Sequence, residues 1–360
     1  MPLVIFITTL VLLAQAGAPP LLERIDTLDD VAAARLVAAD PAAARRALDE
    51  LLGRVDVSVH SERERPEQRR VQYDRTALAL GVRVGALFAD ATGDRSYTRR
   101  FAAREQRLAG TTLLNERRYR EAMVPLRKAL REAQALQDRW LETITRVNLA
   151  YGHLELGEGQ QALAQCERAS GVSAVLDDKA RGLTLFNLAS VHLHLRNFAR
   201  SLDYSHQAIE MSRKARIRLW EGNSLLNLGA AHQQLGQVES ARVAFEQALA
   251  VLEQTKDTLG VGRTLYNLGI LAAEQHRYSD AAAYLERALP IIRSADIRHS
   301  HAIETDEAEY QNPFELSTLR LLVDAYQKTG DETRAAAHMV DLRRVEAKRP
   351  RPGVHTHPPK

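Results

Sequence analysis

Leu226-Asn227-Leu228-Gly229 and, 40 residues on, Tyr266-Asn267-Leu268-Gly269 are two copies of one phrase, which the chain also carries as Phe186-Asn187-Leu188-Ala189 and Val147-Asn148-Leu149-Ala150. The four Asn residues lie 39, 40 and 40 positions apart. Fourteen positions after each stands a small residue, Ala162, Ser201, Ala241 or Ala281, and twenty-one after it stands Ala169, Ala208, Ala248 or Ala288. Moving the frame back by 40 uncovers an earlier copy, with Gly110, Tyr119, Ala122 and Ala129 in matching positions and Leu108 in place of Asn. A sixth, divergent copy reads Leu321 through Gly330, Asp331 and Ala335, displaced by an insertion. Self-similarity at this period marks a stacked architecture, in which each unit buries its apolar face only against its neighbours.

Local signals make each unit a pair of helices. Asp138, Asp177 and Asp257 each lie ten residues before an Asn of the repeat, where a carboxylate caps the free N–H groups of a first helix. That helix then runs about 17 residues, or roughly 25 Å. Turns at Leu156-Gly157-Glu158-Gly159, Leu235-Gly236-Gln237 and Gln275-His276-Arg277 separate it from a second helix. No strand-like alternation competes. Two helices approach closely only where neither carries a bulky side chain, so Gly229 and Gly269 are expected to face Ala241 and Ala281.

From about residue 101 to 347 the chain resembles the tetratricopeptide-repeat family, in the 40-residue form of kinesin light chains, spindle-orientation adaptors, bacterial peptide-sensing regulators and protease-linked repeat arrays. The resemblance implies an all-α fold, a right-handed superhelical solenoid of antiparallel helix pairs. It also implies a groove that takes a protein or peptide ligand.

Composition narrows the function. Hydrophobic residues make up 45% of the 360 and aromatics only 5%, so small aliphatic side chains fill a continuous core. The formal charge of +3 is concentrated at the end: Arg343, Arg344, Lys348, Arg349, Arg351 and Lys360 against Glu346 give +5 there, leaving about −2 for the rest. No broad basic face for nucleic acid is expected. Leu3 to Ala18 is almost wholly apolar, and Ala14-Gln15-Ala16 fits a signal-peptidase site with Gly17 as the first mature residue. A periplasmic or secreted protein is expected; no Lys or Arg precedes the apolar run, so an uncleaved membrane anchor is the alternative. Cys166 is the only Cys, which excludes an intrachain disulfide, and it reads as a small packed residue.

The resulting organisation is a signal peptide over 1–16, an N-terminal helical cap region over 17–100 and five repeats over 101–294. A polar insertion over 295–313, a divergent sixth helix pair over 314–347 and a basic, Pro-rich disordered tail over 348–360 follow. In the cap region two short helices are expected over Leu28–Ala39 and Pro41–Val55, then a charged linker from Ser61 to Arg70 and a longer helix ending near Asp90.

The sequence offers little chemistry. Gly260-Val261-Gly262 lacks the third Gly and the preceding strand of a phosphate loop and reads as a helix junction. His153, His192 and His232 recur at one position of successive repeats, but stacked units place such residues roughly 15–20 Å apart on the usual helix spacing, too far to share an ion. His299, His301, Asp306, Glu307 and Glu309 are metal-ligand types in a polar loop without fixed spacing, and His355 and His357 sit in the tail. No nucleophile has a base in a defined context. No enzyme, cofactor, metal, nucleic acid or small-molecule substrate is expected.

Geometry is more informative. At 100° per residue the first helix carries two opposed stripes. One is the core; the other, expected to line the concave groove, contains Ile144, Asn148, Tyr151 and Glu155, then Leu183, Asn187, Ser190 and His194, then Asn223, Asn227, Ala230 and Gln234, then Arg263, Asn267, Ile270 and Glu274. A row of carboxamides suits an extended peptide, because each offers both donor and acceptor to backbone groups. The alternative is that each Asn bonds a neighbouring helix. Clamping a peptide's terminal carboxylate calls for Lys or Arg beside the Asn row, and only Arg263 and Arg104 stand there. The expected function is peptide or partner binding in the groove. The alternatives are a self-association or assembly scaffold, and a metal or hydrolytic protein using the insertion.

Overall fold

The computed structural model describes residues 21, 25, 28–61, 67–299 and 313–347, without the side chains of 53–54, 56–77, 295–299 and 313. The described residues are all-α. Two compact units divide at Gln106/Arg107.

The first unit holds α1 (Asp30–Ala39), α2 (Pro41–Ser61), α3 (Glu67–Thr92) and the beginning of α4 (Ser96–Asn115). Asp40 Oδ1 accepts from Ala43 N at 2.8 Å, so the Asp-Pro pair starts α2 as its chemistry demands. Helix α2 continues beyond Val55 to Ser61, and α3 already begins at Glu67, so both ends of the expected linker are helical, and its residues 62–66 lie outside the described residues. Arg83 fastens the chain start, its guanidinium donating to the carbonyls of Ile25 and Leu28. The Tyr97 hydroxyl donates to Asp49 Oδ1 at 2.6 Å; burial, then this bond, pushes the phenol up to about 12.

The second unit is the repeat array. After α4 come α5 (Tyr119–Ala135), α6 (Arg139–Glu155), α7 (Gly159–Ser173), α8 (Asp178–His194), α9 (Phe198–Lys214), α10 (Arg218–Gln234) and α11 (Val238–Gln254). Then follow α12 (Thr258–Glu274), α13 (Tyr278–His299), α14 (Pro313–Thr329) and α15 (Glu332–Ala347). First helices of 17 residues recur at α6, α8, α10 and α12. Asp138, Asp177 and Asp257 accept from the backbone N–H of Leu141, Ala180 and Gly260, the capping expected of them. Each turn within a pair closes by a six-residue backbone bond, as Glu158 N to His153 O, around one left-handed residue. Gly157, Gly236 and Gly330 fill that role in three turns, Arg117, Arg196 and His276 in three others.

The helix crossing differs from expectation in its partner. A Cβ on Gly229 would lie 2.5 Å from Cδ1 of Phe245, and one on Gly269 2.6 Å from Cγ of Leu285, so each Gly faces a large side chain one turn beyond Ala241 or Ala281. Helical side chains lean toward the N-terminus, which carries Phe245 back over the crossing while the buried Ala lets the backbones close. Gly110 meets Leu126 in the same way, at 2.5 Å. Where the first helix has Ala150 or Ala189 instead, the second has Cys166 or Ser205. Gly260 and Gly262 are buried in the first turn of α12 rather than at a junction; a Cβ on Gly262 would meet Ile291 Cγ2 at 2.5 Å.

A column of hydroxyls, not singled out in the sequence, is also buried. Thr145, Thr184, Thr264 and Thr318 each donate to the carbonyl four residues back, at 2.6–2.8 Å. Ser224 is the fifth member and has no partner among the described residues. The divergent pair docks on α13 through Leu316, Leu319, Leu322 and Leu342 and through Arg293, which bridges Glu315 Oε1 at 2.7 Å and Asp341 Oδ2 at 2.8 Å. Helix α13 runs to His299, into the segment read as a polar insertion; the rest of that segment lies outside the described residues, as do the N-terminal apolar stretch and the tail.

Candidate functional site: the inner face of the first helices

Successive first helices of the array touch one another, α6 with α8, α8 with α10 and α10 with α12, whereas successive second helices meet barely if at all. The first helices therefore crowd one side of the array, its inner side, and carry the stripe expected from the sequence. Tyr151, Glu155, His194, Gln234, Arg263 and Glu274 are open on it, Tyr151 by 42%.

Of the positions four residues before the Asn, only Arg263 shares that openness. Ile144 is buried, and Asn223 is 4% exposed, with Nδ2 donating to Leu219 O at 3.0 Å and to Asp257 Oδ2 at 3.2 Å. Asn223 thus ties α10 to the cap of α12. The position open in all four repeats is the one seven residues after the Asn: Glu155, His194, Gln234 and Glu274. Arg104 is buried, with Nη1 bonded to Arg100 O, which removes it from any carboxylate clamp.

The four repeat Asn residues divide by what the preceding repeat offers. Asn148 Nδ2 donates to Thr111 Oγ1 at 3.0 Å, and Asn227 Nδ2 to Ser190 Oγ at 2.8 Å, with Asn227 only 6% exposed. Tyr151 stands where a hydroxyl would serve Asn187, so Asn187 donates to its own helix, Leu183 O, at 2.8 Å. Ala230 stands in that place for Asn267, which keeps its carboxamide free of protein partners among the described residues while half-buried on the inner face. Ser190 Oγ itself donates to Phe186 O at 3.1 Å. Glu274 accepts from Gln233 Nε2 at 3.3 Å.

An aromatic corner stands at one end of the stripe. Tyr119 packs edge-on to Tyr151, ring centroids 6.3 Å apart. Burial, then Tyr151 and Glu155, lifts its phenol above the usual range. The recurring His residues serve their own repeats: His153 Nδ1 pairs with Glu158 Oε2 at 2.6 Å, and His192 stacks on Tyr204, centroids 5.2 Å apart. Cys166 is fully buried, its thiol pushed up to about 12 by burial, so it has neither access nor thiolate. Among the described residues no group of His, Cys, Asp or Glu is arranged to hold a metal, and no helix is long and apolar enough to cross a membrane. His299, His301, Asp306, Glu307 and Glu309, like His355 and His357, fall outside the described side chains.

A family model described as tetratricopeptide repeat matches residues 220–294. Among solved structures, the apo form of RapI is similar at 14% identity and a TM-score of 0.56, covering 85% of this chain and 77% of that one. A Rap protein complexed with Competence and Sporulation Factor aligns at 12% identity and a TM-score of 0.55, covering 85% and 98%. The apo quorum sensor NprR from B. thuringiensis aligns at 12% and 0.54, covering 84% and 78%. No curated protein matches. At these identities the likeness is one of fold, and it agrees with what the helix pairs, Asp caps and small crossing residues build: an all-α array of antiparallel helix pairs like that of tetratricopeptide-repeat proteins, whose family model residues 220–294 match.

Proposed function

We propose that this is an exported, non-enzymatic protein that binds an extended peptide segment of a partner along the inner face of its first helices. The observation that carries the reading is the free carboxamide of Asn267, flanked on α12 by open Arg263 and Glu274 and continued by Gln234, His194 and Tyr151. A carboxamide with both donor and acceptor unspent suits a peptide backbone, and an Arg beside it suits a carboxylate side chain. The solved complex of a Rap protein with Competence and Sporulation Factor supports the fold's aptitude for such a partner.

A random-peptide display library selected on the immobilised full chain tests this. Selected peptides are expected to lose about tenfold or more in affinity on the Asn267→Ala, Arg263→Ala variant, the equivalent of two hydrogen bonds, one of them to a charged group. Asn227→Ala is expected instead to lower stability by about 1 kcal/mol, because its bond is to Ser190. Peptides indifferent to both Asn267 and Arg263 sink the groove reading. Export rests on the apolar Leu3 to Ala18 run; mass spectrometry of protein from the native host is expected to find a chain starting at Gly17, and recovery of intact Met1 in a cytoplasmic fraction overturns it.

A further inference from the structure

A second site lies away from the inner stripe. The start of α6 and the end of α7 enclose a cleft of about 520 Å³ lined by Arg139, Glu142, Arg146, Arg168, Gly171, Val172 and Val175. Its floor is unusual for this fold. At the position of Arg146, two residues before the Asn, the next three repeats carry Leu185, Leu225 and Leu265. The Arg146 side chain is 7% exposed, and its Nε and Nη2 donate to Glu142 Oε1 at 2.9 and 2.7 Å, Nη1 to Gln165 Oε1 at 3.1 Å. A guanidinium has five N–H donors, so two find no acceptor among the described residues. Burying an ion pair where Leu packs in sister repeats gains little stability and often loses some.

The rim is cationic and unpaired. Arg139 and Arg168 are exposed and have no carboxylate partner among the described residues. Some cations farther along the array are matched internally: Arg213 with Glu221, Arg242 with Glu239 and Glu246, Arg293 with Glu315 and Asp341. Beside the two rim arginines Val175 is 65% exposed, and the space above Gly171 is empty.

We propose that this cleft docks an acidic segment of a partner protein, one carboxylate entering between Arg139, Arg168 and the spare Arg146 donors while an adjoining apolar side chain lies on Val172 and Val175. Both a buried donor set and the rim charge select carboxylate, and the exposed valines select a peptide over a free anion. The site is independent of the Asn stripe.

Fluorescence anisotropy with a fluorescein-labelled peptide of alternating glutamate and leucine tests this on the full chain. Saturable binding is expected, weakened about tenfold or more by Arg139→Glu with Arg168→Glu, whose exposed side chains leave the fold intact. Arg146→Leu combined with Glu142→Gln, which removes both charges of the pair together, is expected to weaken it likewise while leaving the melting temperature nearly unchanged. Asn267→Ala, Arg263→Ala should leave this binding unchanged. Absence of binding, equal binding of the lysine–leucine counterpart, full competition by inorganic phosphate at the peptide's own concentration, or indifference to the arginine variants overturns the proposal.

Discussion

The repeats solve one crossing in two ways. In the first, fourth and fifth, Gly110, Gly229 and Gly269 receive Leu126, Phe245 and Leu285; in the second and third, the aligned positions hold Ala150 with Cys166 and Ala189 with Ser205. The two positions trade size, Gly against a large side chain and Ala against a small one, although the summed volumes differ. Neither position is small by rule; each is small to the extent that its partner is large, which is what close packing at crystal-like density requires. The two solutions differ in quality. Among the described residues Ser205 Oγ and His192 Nδ1 are buried without hydrogen-bond partners in the third repeat, whereas Phe245 and Leu285 fill their crossings with carbon.

The largest break in this comparison is to empty the large side. Phe245→Ala is expected to cost about 3–5 kcal/mol, measured by urea unfolding, since the neighbouring Gly229 offers nothing to close the cavity. A loss under half of that means the crossing is slack. Gly229→Ala overpacks from the other side and is expected to cost about 1–3 kcal/mol, although Ala is the better helix former. Adding Phe245→Cys to it copies the Ala150–Cys166 pair, so the double variant should be more stable than the sum of the singles by about 1 kcal/mol or more. Strict additivity refutes paired volumes.

The smallest effect sharpens the contrast through pH. Burial, aided by Arg200, holds His192 below its ordinary value. The unfolded chain therefore takes up a proton first as pH falls, so this contribution is complete above about 6.5 and is lost progressively below it. His192→Phe keeps the stack on Tyr204 and removes that slope. Melting temperatures at pH 7.5 and 5.5 should converge in the variant; an unchanged difference assigns the acid sensitivity elsewhere.

Much of the fold was legible because a repeat prints its constraints several times. The Asp caps, the 17-residue first helices and the turns were readable from four aligned copies, since each depends on residues close in sequence. The true partner of Gly229 was not, although Leu126, Cys166, Ser205, Phe245 and Leu285 form an alignable column whose size runs opposite to that of the Gly/Ala column. The hydroxyl column of Thr145, Thr184, Ser224 and Thr264 is equally alignable, but Thr and Ser are mostly exposed in proteins, so type alone does not mark it as buried. In the groove, the Asn row misled in part. Whether each carboxamide is spent depends on a residue of the preceding repeat: Thr111 and Ser190 consume theirs, Tyr151 and Ala230 do not. Asn223 looked like a ligand contact and is a strut to Asp257, a bond between residues 34 apart that helical periodicity cannot see.

Sizes paired in this way also bear on how such a chain is inherited. Units of one length and one phrase invite unequal crossing-over between their coding segments. A breakpoint inside a unit would join α8 to α11 and set Ala189 against Phe245, or join α10 to α9 and leave Gly229 over Ser205, a collision in one case and a void in the other. Breakpoints in the turns between pairs, such as Thr255 to Asp257, carry each Gly or Ala away with its own partner. Arrays of this kind should lengthen and shorten by whole pairs, and the turn between units becomes the tolerated seam.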